Sequence, residues 1–427
     1  MKLVFHGAAK EVGRSCIEVK TQGERYFLDA GIKFREGGFD YPDEINNVPD
    51  IDGLFISHAH LDHSGALPMF EHHSIICPIF CTRLTYELSK ILLKDSYKIA
   101  RIRNLHPAYN RTDLKKVAKS VRFINYDREY KHRKVKFTYR NAGHIPGSSM
   151  IELQLEGRKL LYTGDFKVKN TELMKGAFTD YKDIDILITE TTYGNRGLPD
   201  RENLKERFLR QVKEVTDRGG SVLIPVFALG RSQEILILLA KQKYKCPVYY
   251  DGLCSKMGSK IIEVSEDKYV GGRKKLESAM KSFATHISSE KKRQKALAKP
   301  GIFVTTSGML QGGPVMSYLK ELWHDPKNAV YLTGFQCKRT NGRHLAEEGF
   351  AYIDGWRTYV KCKVERFDFS GHSDQEELKE FIRKVNPKRL IFNHGDEHEI
   401  EVMADWARRE LKCKVYAPRV GEEIEIL

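Results

Sequence analysis

No CxxC pair occurs among the eight cysteines of this sequence. Cys77 and Cys81 stand four apart with no second pair to complete a four-thiolate zinc site. A disulfide framework would be out of place in so large a chain, so the thiols read as reduced and mostly buried. No apolar stretch approaches the roughly 20 residues that span a bilayer. The opening Met1-Lys2-Leu3-Val4-Phe5-His6-Gly7 reads as a strand and lacks the apolar segment of a secretory signal. A cytoplasmic protein without membrane contact is therefore expected. Repeats, low-complexity tracts and long linkers are missing as well. Acidic residues fall short of basic ones, 57 against 72, which leaves a net charge of +15 over 427 residues. That excess favours a polyanionic partner, because neutralised phosphates release counterions. A lysine-rich chain from a salty or hot habitat would carry the same charge, so charge alone does not name RNA.

What is there organises into three parts. Strand patterns at 2–6, 15–20, 25–29 and 53–57 precede helical periodicity at 84–100 and around 112–119, and strands return at 135–139, 149–155, 159–163 and 184–189. After Tyr193-Gly194 a charged helix over 202–218 leads into the apolar strand 221–226. A helix from Ser232 and strands at 247–250, 301–305 and 329–333 then give a βαβ alternation that predicts a smaller parallel α/β domain. Its most basic run, Glu290-Lys291-Lys292-Arg293-Gln294-Lys295, fits a solvated helix face. From about 362 the first pattern resumes with a strand, a helix over 374–385, a strand ending at Asn393-His394, and a last helix and strand. The expected domains are thus 1–195 and 362–427 for a large α/β unit and 196–361 for one inserted into it.

The sharpest signal is His58-Ala59-His60-Leu61-Asp62-His63, directly after the apolar strand Gly53-Leu54-Phe55-Ile56-Ser57. Three imidazoles and a carboxylate in six residues cannot all be satisfied in a core. On a loop at a strand end they can fan around metal ions, and neutral imidazole with carboxylate suits zinc. One loop cannot close two coordination spheres, so further ligands must come from similar turn contexts: His144 in Gly143-His144-Ile145-Pro146-Gly147, Asp165 in Thr163-Gly164-Asp165, and His394 in Asn393-His394-Gly395-Asp396. Asp29, in Leu28-Asp29-Ala30-Gly31, reads as a carboxylate that orients the loop from behind. His72, His73, His106, His132, His286, His324 and His398 have no ligand-like context and are assigned to surface or core.

The combination of Asp29, His58-x-His60-x-Asp62-His63, His144 and Asp165 resembles the metallo-β-lactamase superfamily. The resemblance implies an αββα sandwich with two Zn2+ at one edge. His58, His60 and His144 would hold one ion, Asp62, His63 and His394 the other, with Asp165 between them. Three further stretches resemble the motifs of the β-CASP nucleases, in that family's order: Thr189-Glu190-Thr191-Thr192-Tyr193-Gly194, Ser370-Gly371-His372-Ser373-Asp374 and Asn393-His394-Gly395-Asp396. The smaller domain then corresponds to the β-CASP insert, and the whole chain is covered. The similarity is greatest to archaeal relatives of the nuclease subunit of the pre-mRNA 3′-end cleavage factor, with RNase J next. The N-terminal KH domains of some archaeal members and the C-terminal extension of bacterial RNase J have no counterpart here. In that family a histidine at the position of His394 goes with RNA substrates.

The chemistry expected is hydrolysis of RNA phosphodiester bonds, internal or 5′→3′. Two zinc ions about 3.5–4 Å apart can generate a hydroxide and clamp a phosphate oxygen, leaving a 5′-phosphate and a 3′-hydroxyl. Asp62 serves that centre, and His372 held by Glu190 is the candidate acid for the leaving oxygen. Phosphate contacts are expected from Arg231 and Ser232 at a helix start, and from Ser307, Gly308, Arg343, Ser370 and Ser373, with RNA lying between the domains. Competing expectations are a small-molecule ester or thioester hydrolase, a DNA-directed nuclease, and a scaffold that has lost its ligands; the last is disfavoured because every ligand position is filled. The sequence leaves open RNA preference, cleavage mode and assembly, whether as a homodimer or in an RNA-processing complex.

Overall fold

The computed structural model describes residues 1–35, 37–42, 50–264 and 267–426. They fall into two units. The first comprises Met1–Asn170, Lys175–Gly197 and His372–Leu427, and the second Thr171–Met174 and Leu198–Gly371.

In the first unit, alternation of side chains along strands creates three apolar layers. On Glu24–Leu28, Tyr26 and Leu28 point one way while Phe27 points the other, and Phe55 and Leu54 divide in the same manner on Gly53–Phe55. On Ile186–Glu190, Ile186 and Ile188 face one core and Leu187 another; on Arg389–Asn393, Ile391 is opposed to Leu390 and Phe392. The shared core is therefore closed between two seven-stranded sheets. The first runs, in spatial order, Glu423–Glu425, Lys2–Gly7, Cys16–Thr21, Glu24–Leu28, Gly53–Phe55, Ile79–Cys81, Val121–Phe123. The second runs Lys414–Tyr416, Arg389–Asn393, Ile186–Glu190, Arg158–Tyr162, Ser149–Leu155, Val135–Asn141, Glu129–His132. Leu67, Phe70 and Val117 from helices pack the outer face of the first sheet. Phe381, Ile382, Ile400 and Met403, from the helices Gln375–Val385 and Glu397–Glu410, cover the outer face of the second. This is the expected αββα sandwich.

The second unit carries a six-stranded, wholly parallel sheet in the order Ala284–Ile287, Val248–Asp251, Ile302–Thr305, Val222–Pro225, Ala329–Leu332, Lys363–Arg366. Lys363–Arg366 pairs with Ala329–Leu332, so this unit continues to Gly371 instead of ending at 361. A four-residue strand with half-buried residues carries no mark of which sheet edge receives it. No helix among the described residues is long and apolar enough to cross a membrane. The eight cysteines are free, and five of them are buried.

Candidate metal centre

Five strand ends deliver the first unit's histidines and carboxylates to one place. Glu24–Leu28 and Gly53–Phe55 run parallel, so Asp29 and the loop 58–63 leave the first sheet side by side. In the second sheet Arg158–Tyr162, Ile186–Glu190 and Arg389–Asn393 are consecutive and parallel, which brings Asp165, Glu190 and His394 to one edge. His144 lies in the turn joining Val135–Asn141 to the antiparallel Ser149–Leu155.

The loop is held by its backbone before any metal is considered. Ser15 N–H donates to the Asp62 carbonyl (2.7 Å), Ile32 N–H to Leu61 (2.8 Å) and Ala30 N–H to His63 (2.8 Å). So close an approach requires Gly31, because a Cβ there would lie 1.6 Å from the Asp62 carbonyl oxygen. Asp29 and His394 both adopt left-handed backbone, at φ 60° and 47°. Aspartate and histidine tolerate that region better than most residues, and such backbone concentrates at functional sites.

Asp165 is the hub of the cluster. Its Oδ2 stands 3.5 Å from His58 Nε2, 3.3 Å from His63 Nε2 and 3.7 Å from His144 Nε2, while its Oδ1 is 3.1 Å from His394 Nδ1. His144 Nε2 and His60 Nδ1 are 3.1 Å apart, and His394 Nε2 is 3.5 Å from Asp62 Oδ2. Three groups of donors able to hold an ion share Asp165: His58, His60, His144 and Asp165; His63, Asp165 and His394; and Asp165, Glu190 and His372. Asp62 groups with His58 and His63. Metal–nitrogen bonds near 2.0–2.1 Å put tetrahedral ligand atoms about 3.3 Å apart, which matches these separations. His58 Nε2 and Asp165 Oδ1 are buried without a hydrogen-bond partner, a costly state unless a ligand takes them. Burial holds the His58 and His60 imidazoles below their ordinary range, in the neutral form that binds metal. Burial opposes the charge on Asp62 and Asp165, yet histidine neighbours hold both carboxyls below the usual carboxylate range. For His63, burial is outweighed by Asp165 and Asp29, which push its imidazole well up. The residues present therefore fit divalent metal.

Behind the cluster, Asp29 is fully buried and accepts from Ser57 N–H, Ser57 Oγ, Tyr162 OH and His63 Nδ1, each at 2.7 Å. That fixes the His63 ring with Nε2 turned to Asp165. Ser57 Oγ also lies 3.0 Å from His58 Nδ1. His372 Nδ1 faces both oxygens of Glu190 at 3.0 Å, and Glu190 accepts from Phe166 N–H at 2.8 Å. Burial would lower His372, but the Glu190 and Asp165 carboxylates dominate and raise it to about 9. A buried Lys167–Glu377 pair (2.6 Å) ties the residue after Phe166 to the helix that follows His372. Ser57, Tyr162, Gly31 and Lys167 escape the sequence reading because their partners are remote in the chain. The one local signal was Tyr162-Thr163 just before Asp165.

The residues expected to meet phosphate are differently placed. Arg231 is buried and ion-paired with Glu234, whose other oxygen takes Arg201. Ser232 is fully buried and donates to the Ala228 carbonyl at 2.9 Å. Ser373 is fully buried and accepts from Val168 N–H at 3.1 Å. Ser307 and Gly308 form a turn closed by Ser307 Oγ donating to Gly312 O (3.2 Å), and Arg343 pairs with Glu347 at 2.6 Å. The Ser370 carbonyl accepts from Arg201 at 3.2 Å.

Comparison with known proteins adds three family matches along the chain. Residues 19–192 match the metallo-beta-lactamase superfamily domain, 232–345 the Beta-Casp domain, and 358–418 the Zn-dependent metallo-hydrolase RNA specificity domain. The chain is 42% identical to a probable RNase, MJ4, of Methanocaldococcus jannaschii over the full length of both. It is 34% identical to the RNase aCSPSF2 of Saccharolobus solfataricus, over 98% of this chain and 84% of that one. A crystal structure of a protein of unknown function from Enterococcus faecalis V583 shares the fold, with a TM-score of 0.60 at 16% identity over 99% of both chains.

Proposed function

The chain belongs to the β-CASP family of metallo-β-lactamase-fold nucleases, and from that premise we propose that it is a metal-dependent ribonuclease whose reaction runs at the His58–Asp165–His394 cluster. The observation that carries the reading is the set of donor groups sharing Asp165, beside a carboxylate–imidazole couple. His58, His60 and His144 would hold one cation, Asp62, His63 and His394 the other, and Asp165 both. Imidazole and carboxylate donors at these spacings favour zinc. The cations would supply Lewis acidity toward phosphate and a water acidic enough to ionise near neutral pH.

The protein's own groups do the rest. Water oxygen bonds to phosphorus, the P–O3′ bond breaks, and its electron pair leaves on O3′, which needs a proton. His372 supplies it from Nε2, because Nδ1 is engaged with Glu190 and a group raised to about 9 carries its proton at pH 7. Glu190 is the positioning residue, itself fixed by Phe166 N–H. The products are a 5′-phosphate and a 3′-hydroxyl. Ser307, Gly308 and Arg343, the turn and half-buried members of the expected set, are the candidate contacts of the second unit to the RNA backbone, while Arg231, Ser232 and Ser370 are engaged inside that unit and Ser373 inside the first. The enzyme would work in the cytoplasm, as a homodimer or within an RNA-processing complex.

The test uses one RNA labelled at its 5′ end and one at its 3′ end, DNA equivalents alongside, with wild type, Asp62→Ala and His372→Ala. Zinc-dependent RNA loss abolished by Asp62→Ala is expected. His372→Ala should keep both metal ions and lose about 10²–10⁴-fold in turnover. Mononucleotide from the 5′ label assigns exonucleolytic attack, and discrete fragments assign internal cleavage. Intact RNA with a zinc-loaded wild type sinks the ribonuclease reading; unchanged turnover in His372→Ala rejects its role as acid.

A further inference from the structure

Far along the chain from the metal ligands, the second unit carries a small hairpin that joins no larger sheet. Phe350–Ile353 pairs antiparallel with Trp356–Tyr359 across a left-handed Asp354-Gly355 turn. The register sets Phe350 opposite Tyr359 and Tyr352 opposite Arg357, so these four share one face. Ala351 and Ile353 take the other face into the apolar core. A two-stranded ribbon with one face in a core ordinarily turns polar residues outward. Here the outward face exposes two aromatic rings, Tyr352 at 48% and Tyr359 at 60%, beside the buried Phe350; Trp356, 78% exposed at the turn, pairs with Ile353 of the other face. Tyr352, Trp356 and Tyr359 are three of the eight large apolar side chains exposed among the described residues, gathered within ten positions.

The rings are arranged around a cation. The Arg357 guanidinium lies 4.0 Å from the Phe350 ring centroid and 5.3 Å from that of Tyr359. His344 stacks on Phe350 with ring centroids 4.8 Å apart and planes at 22°, and its ring centroid stands 6.0 Å from that of Tyr352. The surrounding stretch, 338–363, holds six Lys and Arg against three Asp and Glu. All three acids are matched locally: Glu347 by Arg343, Glu348 by His344 and, at 4.0 Å, by Arg357, and Asp354 by Lys320. What faces solvent is thus a set of flat rings in a positive field, the combination that binds unpaired bases and their phosphates together.

We infer that the outward face of this hairpin, centred on Tyr352, Arg357 and Tyr359, is a stacking platform for single-stranded RNA, distinct from the metal centre. Two bases lie on the tyrosine rings, and Arg357 with the nearby lysines faces the phosphates. A second copy of the chain would also cover an aromatic face, but the net positive charge of the stretch would then meet itself, which favours a polyanion. The inference rests on the reading that RNA is the substrate, and deepens it by assigning a holding site apart from the cutting site.

The test is binding of a 5′-fluorescein oligouridylate of twenty nucleotides, read by anisotropy on zinc-loaded full-length protein in an Asp62→Ala background that stops cleavage. Tyr352→Ala with Tyr359→Ala should raise Kd about tenfold or more, in line with the loss of stacked bases, and Tyr352→Phe with Tyr359→Phe should restore it. Both rings are half-exposed or more, and thermal melting checks that the alanine pair folds. An unchanged Kd overturns the inference. So does an unchanged Kd with lost self-association in sedimentation, which would assign the face to a second copy. RNA cleavage by wild type, followed in parallel, separates the two readings: a tenfold effect on binding by a protein that cuts nothing would keep the platform and discard the nuclease.

Discussion

Two loops in this chain leave the ends of parallel strands and open helices, yet they treat buried charge in opposite ways. The loop after Gly53–Phe55 carries His58, Asp62 and His63 into a cluster where His58 Nε2 and Asp165 Oδ1 have no hydrogen-bond partner. The loop after Val222–Pro225 starts a helix at Arg231, and there Glu234 lies between the guanidinium groups of Arg231 and Arg201. The first set gathers histidines and carboxylates with no Lys or Arg among them. In the second, each Glu234 oxygen takes one guanidinium, although Arg201 Nε has no hydrogen-bond partner of its own. Buried charge is costly unless paired, so what distinguishes the second set is a counter-charge built into the protein. The comparison also explains why a glycine-flanked strand end is weak evidence for phosphate binding until its side chains are accounted for.

The closed set offers the largest effect. Glu234→Gln leaves the buried Arg231 and the half-buried Arg201 facing a neutral amide, and breaking a buried pair costs about 3–5 kcal/mol. Urea unfolding should show that loss, while zinc content stays at the wild-type value. Burial disfavours the Glu234 charge, but Arg201 and Arg231 outweigh it and hold the carboxyl below its usual range. Its stabilisation is thus full above the unfolded carboxylate range and is lost as pH falls through the lowered folded value. The variant should flatten the acid limb of the stability curve. A loss below about 1 kcal/mol would mean that the carboxylate is solvated after all, and the contrast between the loops would collapse.

A smaller effect tests the open set. Gly31→Ala would place a methyl group 1.6 Å from the Asp62 carbonyl oxygen, so the loop backbone must move. Overpacking of this kind costs about 1–3 kcal/mol. Because the displaced segment carries Asp62 and His63, zinc occupancy should fall with it, measured by metal analysis of the purified protein. Full occupancy in the variant would show that the cations organise the loop and not the reverse.

The asymmetry between the loops also marks what a sequence can disclose. His58-x-His60-x-Asp62-His63 is local, and its crowding of polar residues is legible without a fold. The αββα layers came only with the family resemblance that the ligand loop carries, since a strand such as Ile186–Glu190 is buried throughout and shows no alternation of polarity. The carboxylate that supports His63 was legible as Asp29, but not the Ser57 and Tyr162 donors that fix it, since Tyr162 reaches Asp29 across two sheets. Arg231 and Glu234 are three apart on one helix, yet Arg201 joins them only in the folded unit. Lys363–Arg366 could not be given its sheet, because a short half-buried strand fits several edges. Nothing in the sequence sets Tyr352 and Tyr359 apart from other tyrosines; their exposure on one hairpin face appears only in the fold.

The smallest expected effect probes how far the open set depends on its supports. Tyr162 OH donates to Asp29 Oδ2 at 2.7 Å, and burial together with the Asp29 charge holds the phenol well above its ordinary range, so it remains a donor at every working pH. Tyr162→Phe removes that one bond and leaves Asp29 with Ser57 N–H, Ser57 Oγ and His63. Ser15 Oγ, 3.0 Å from the phenol, loses a partner as well. Supporting partners behind ligands are worth about 10–100-fold in metal affinity, and with three of four retained the shift should sit at the lower end, near tenfold. Competition with a chromogenic chelator reads it directly, with hairpin-dependent RNA binding as the internal control that must not move. No change in affinity would mean that three donors already hold Asp29 and the His63 ring, so that the strain in the left-handed Asp29 backbone is carried by Ser57 and the strand pairing alone.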